Sequence, residues 1–113
     1  MKVLAHHIYE YKKGLRQLIL HTLHAKYRFE AEARLRHAGI DFHTRQVTPE
    51  KINIFFGARE CIEVIKHIGD KSFVEYTPEE DFILGVLLGY DKIQECNRYL
   101  HLCDKQTMLR KTT

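Results

Sequence analysis

Eight histidines and three cysteines are the residues in this chain best suited to metal or nucleophilic chemistry. A zinc site needs three or four such ligands converging at about 2.0 to 2.3 Å. Short pairings often supply half of one. His6 and His7 are adjacent, and His21 and His24 are separated by two residues. Cys96, His101 and Cys103 form a second group near the C-terminus. On a helix, Cys96 and Cys103 share a face but lie two turns apart, about 10 Å. One ion cannot span that distance, and free cysteines are most often small buried hydrophobes. The reading is therefore no metal and no cofactor.

A nucleophilic thiol needs a base within reach. Cys61 stands near a helix start, which lowers a thiol's pKa, yet His67 six residues on falls on a different side. The remaining polar groups define one candidate site, His6, His7, Arg16, His21 and Cys61, with no residue assigned a catalytic role. A second candidate is the strand-to-helix passage Gly57-Ala58-Arg59, where free amides and a guanidinium could hold an anion. No glycine-rich nucleotide fingerprint accompanies it. Lys12, Lys13 and Arg16 lie near Tyr9 and Tyr11, a pairing used for single strands. No nucleic-acid module goes with them, so a solvated surface is the favoured reading. Glu79-Glu80-Asp81 is explained by the preference of carboxylates for a helix's first turn.

The elements that must position these groups follow from periodicity. Leu4, Ile8 and Tyr11 make a helical stripe that ends near Gly14. Leu18 to Leu23 reads as a buried strand. Tyr27, Ala31, Leu35 and Ala38 mark a helix over 26–38, and Gly39 supplies its stop. Ile40 to Val47 alternates as a strand, turns at Thr48-Pro49-Glu50-Lys51, and returns through Ile52, Ile54 and Phe56 as a hairpin. Cys61, Ile62, Ile65 and Ile68 form the next helix. Thr77-Pro78-Glu79-Glu80 combines an N-cap, a proline at the first helical position and a capping box. Asp91 caps a last helix to about Asp104.

That order, α-β-α-β-β-α-α-α, predicts an α+β fold with a three-stranded sheet and five helices. With helices on one face, the other would expose Phe55 and Val47 and call for a homodimer. Phe82, Gly85, Leu88, Gly89 and Tyr90 in the apolar helix are the candidate contact surface, since small residues beside aromatic anchors suit an interface. The division expected is one domain over residues 1–104 and a frayed basic tail over 105–113.

Composition agrees with these classes. The 113 residues are 44% hydrophobic and 29% charged, with a formal charge of +3. This is a globular balance and gives no electrostatic case for nucleic acid. The longest apolar run in the last third, Phe82 to Leu88, is far short of the roughly 20 residues that cross a bilayer. Without a signal-peptide pattern, three cysteines are expected as reduced thiols in the cytoplasm.

The chain resembles the DUF2023 family of small bacterial proteins. Ala5 to Arg16, Leu20-His21-Thr22, Asn53 to Gly57 with Cys61, and Thr77 to Asp91 continuing to Cys96, Arg98 and Tyr99 carry the resemblance. It implies three strands, five helices and a homodimer. It also implies relatives encoded beside flavodoxin genes in anaerobic bacteria, which makes flavodoxin a partner suggested by the resemblance alone. It brings no catalytic residues. The expected function is a non-enzymatic interaction or accessory protein. The alternative is a small enzyme or a cofactor- or anion-binding protein, with the polar site at the dimer seam.

Overall fold

A computed structural model describes the backbone of residues 1–112 and the side chains of residues 1–110. The chain forms two compact units, Met1–Asp70 and Lys71–Thr113. The first holds α1 (Lys2–Lys12), β1 (Leu18–His24), α2 (Arg28–His37), β2 (Asp41–Thr48), β3 (Lys51–Gly57) and α3 (Arg59–Ile68). The second holds α4 (Pro78–Leu87) and α5 (Lys92–Thr112). Single 3-10 turns at Ala25–Tyr27 and Phe73–Glu75 complete the order. The described residues thus show the expected α+β fold, with five helices and an antiparallel three-stranded sheet.

Strand order is β1-β3-β2, so β3 is central and paired on both sides. Its sequence Ile52-Asn53-Ile54-Phe55-Phe56 is buried without interruption. Such a run suits a strand covered on both faces. Ile52, Ile54 and Phe56 join Ile19 of β1, Leu4 of α1, and Ala31 and Leu35 of α2 in one core cluster. Alternation sends Asn53 and Phe55 to the opposite face, where α3 lies against β2 and β3 with Cys61, Ile62 and Ile65 buried.

This corrects the expectation of a bare sheet face. Phe55 is only 1% exposed, while Val47 is 45% exposed. The stripe on α3 was legible, but its side of the sheet was not, because a helix directly after a strand can return over either face. Val47 owes its exposure to a bulge between Gln46 and Thr48. No described non-glycine residue has a positive φ, so the Pro49-Glu50 turn cannot be one of the primed turns that match strand twist. An extra residue in β2 accommodates the mismatch.

Local sequence sets the ends. After α2, the Gly39 amide bonds the Arg36 carbonyl and the Ile40 amide the Leu35 carbonyl, with Gly39 at φ 71°. This Schellman arrangement uses the glycine anticipated there. Gly57, at φ 146°, leaves room for the Gln17 carbonyl, which a Cβ would strike. That carbonyl accepts the Ala58 amide at 2.8 Å, tying the start of β1 to the start of α3.

In the second unit, Thr77 Oγ accepts from the Glu80 amide at 3.1 Å, and Glu80 Oε1 accepts from the Thr77 amide at 2.9 Å. The capping box is therefore complete, with Pro78 at the first helical position. The Lys71 ammonium and these bonds hold the Glu80 carboxyl below the usual range. Asp91 caps α5 through the Gln94 amide at 2.9 Å. That helix continues past Asp104 through Thr112, while Thr113 of the anticipated tail lies outside the described residues. No helix among the described residues is long and apolar enough to cross a membrane.

Gly57→Ala combines left-handed strain with a backbone collision and should cost about 3 kcal/mol or more, against about 1 kcal/mol for Gly39→Ala. Nothing lies within 4 Å of a Cβ at Gly39. Urea unfolding of the two variants measures the difference.

Candidate functional site

The polar residues singled out in the first unit do not all converge. His7 on α1 meets His21 on β1, edge to face, with ring centroids 5.3 Å apart. His6 joins them less closely, 6.4 Å from His7. Glu10, one helical turn on, places Oε1 3.4 Å from both His6 Nε2 and His7 Nδ1. Burial, followed by His7 and the Met1 amino group, pushes the His21 pKa below 6.5. Arg16 is half-buried in the link between α1 and β1.

Cys61 stands apart from this group. It belongs to α3, which packs on β2 and β3, whereas His21 points to the face that carries α1. Burial, with Glu60 adding to it, raises the thiol's pKa. A buried, protonated thiol is a poor nucleophile. His24 cannot join His21 either, since an odd separation along a strand sends the two to opposite faces. Its Nδ1 instead accepts the Lys26 amide at 3.0 Å and starts the turn into α2. No three described His, Cys, Asp or Glu side chains gather as ligands for an ion.

At Gly57-Ala58-Arg59 the Ala58 amide is already bonded to Gln17. Arg59 and Glu60 are both exposed in the first turn of α3, so a carboxylate already faces the helix's positive end. Nothing there is shaped around an anion.

The second unit presents a different surface. Glu79, Phe82, Ile83, Cys96, Tyr99 and Leu100 line a groove of about 530 Å³ between α4 and α5. Phe82 and Tyr99 rings meet at 5.5 Å across it. Arg98 binds Asp81 through two bonds, 2.8 and 3.1 Å, and so fixes the register of the two helices. The Tyr99 hydroxyl donates to Glu79 Oε2 at 3.0 Å. Contacts with the Cys103 thiol and the Glu79 carboxylate push the Tyr99 pKa up to about 12.

The residues expected at a contact surface divide within this unit. Gly85 is buried where a Cβ would meet the Glu95 carboxylate, so it serves the packing of α4 on α5. Leu88 is also buried, whereas Gly89 and Tyr90 are exposed and Phe82 is half-buried in the groove. Ile83, Cys96, Tyr99 and Leu100 were missed as a group because they come from two helices. Their spacing within each helix was the available signal. Cys96 and Leu100 are four apart and share a face.

Taken together, a three-stranded antiparallel sheet flanked by helices and followed by a helical hairpin defines a small α+β protein with no assembled catalytic constellation among its described residues. A family model described as a protein of unknown function, DUF2023, matches residues 2–102 of the 113, and the chain belongs to that family. No curated protein matches it.

The buried Cys61 thiol should react with a disulfide reagent only after denaturant is added. Counting reactive thiols before and after unfolding, with a Cys61→Ser control, checks this. Ultraviolet titration should find Tyr99 ionising near pH 12. Replacing its partners, as Glu79→Gln with Cys103→Ala, should return it toward the ordinary value near 10.

Proposed function

We propose that this protein is a non-enzymatic interaction protein that works as a homodimer, with its α4–α5 hairpin as the contact surface. The observation that carries the reading is the apolar groove bounded by Phe82, Ile83 and Leu100. Leu100 is 59% exposed and, farther along the same face of α5, Ile93 is 69% exposed. Contiguous apolar surface of this kind is costly to leave in water and marks interaction sites. A helix face also suits a two-fold dimer, in which one patch meets its own copy.

The polar site supports the alternative less well. An enzyme built on His6, His7, Arg16, His21 and Cys61 needs the thiol beside the imidazoles, and these lie on different faces of the sheet. The groove's acidic edge, Glu79, is occupied by its bond to Tyr99. What remains accessible there is apolar and suits packing rather than bond making.

Native mass spectrometry of untagged protein is expected to give twice 13.4 kDa. Ile83→Glu with Leu100→Glu, both at exposed positions, should lower the dimer population at least tenfold while leaving far-ultraviolet dichroism unchanged. A wild-type monomer across the micromolar range would overturn the reading. So would a dimer indifferent to both substitutions.

A further inference from the structure

The histidine cluster between α1 and β1 has a role that the hairpin surface neither needs nor explains. We propose that it is a pH-sensitive latch, holding α1 on the sheet at neutral pH and releasing it in acid as a charge enters the contact between His7 and His21. The geometry is the basis. The two rings are 5.3 Å apart, one on the helix and one on the strand that the helix covers. When both are neutral, the contact is an ordinary edge-to-face pairing. When both are charged, two cations face each other across a half-buried seam, where water screens them less than at the surface.

The surrounding charges do not neutralise that outcome. From α1, His7 and the Met1 amino group act on His21, and His6 and Glu10 lie in turn beside His7. From β3, the residue paired with His21 is Ile54, and its same-face neighbours are Ile52 and Phe56, none of which titrates. One carboxylate thus stands against three imidazoles and an ammonium. Glu10 sits 3.4 Å from His6 and His7 alike, so its single charge is shared.

The sign of the effect follows from the depressed His21 value. A histidine whose pKa is lower in the folded state binds protons more readily once released. Its contribution to holding α1 is fully present above about 6.5, fades as pH falls through that value, and is gone below the lowered folded value. Lys12 donates to the Ala38 carbonyl at 2.7 Å and holds the far end of the helix. Release therefore begins at the N-terminal half of α1. It uncovers Leu4, which is fully buried in the closed form, and the apolar face of β1 beneath it.

Amide hydrogen exchange of the full chain at pH 7.5 and 5.5, corrected for intrinsic rates, tests the latch. Peptides covering residues 2–12 should lose roughly tenfold more protection on acidification than peptides covering β3. In His21→Gln most of that difference should vanish, and His7→Gln should act in the same direction. His7→Gln changes the helix side of the pair and carries the test if the strand variant unfolds. An equal loss in wild type and His7→Gln would overturn the proposal. Equal loss at α1 and β3 would overturn it too, because that pattern is global acid unfolding. Both readouts are independent of the α4–α5 surface, so dimer loss in the hairpin variant leaves this inference standing or falling by itself.

Discussion

Burying β3 on both faces is the constraint that the first unit is built to meet. A strand whose every side chain from Ile52 to Phe56 is out of water needs a hydrogen-bonding neighbour on each edge and a helical layer on each face. Unpaired backbone groups there would cost more than the apolar burial returns. β1 and β2 fill the edges. Leu4, Ala31 and Leu35 cover one face through α1 and α2, and the α3 stripe covers the other. Gly57 follows from the same demand, since the chain must leave the central strand at once while the Gln17 carbonyl presses against it.

The second unit solves a simpler problem with fewer parts. Two helices bury little surface on their own, so their ends and register need explicit fixing. The capping box at Thr77 sets where α4 begins, and Asp91 sets where α5 begins. Between them, Gly85 gives way to Glu95 and the Arg98–Asp81 pair aligns the helices. With no strand of its own, this unit keeps apolar side chains such as Leu100 exposed. Those leftover side chains are the physical content of the interaction reading.

Local physics makes most elements legible in the sequence. Pro78 after Thr77, Gly39 after a helical stripe, and the alternation of Ile52, Ile54 and Phe56 each encode their structure within a few residues. What escaped was long-range. Neither the side of the sheet taken by α3 nor the pairing of Tyr99 with Glu79 leaves a mark in local spacing. The histidines show the same divide. Their types marked them as candidates, and strand alternation then separated His21 from His24, but only packing brought His7 to His21. Cys61 shares their chemistry, and the sheet keeps it away from them.

The pairing pattern also fixes an order of events during folding. β2 and β3 are neighbours in the chain and close through a two-residue turn, whereas β1 must bring Leu18 to Gly57 and His24 to Lys51 across all of α2 and β2. Closing the larger loop costs more chain entropy, and that cost precedes any contact energy. The hairpin is thus the cheaper nucleus, and the N-terminal strand with its helix is the last part of the sheet to arrive. A nascent chain that has made only the hairpin still shows one raw edge of β3, and it is during that interval that a foreign strand could take the place kept for β1.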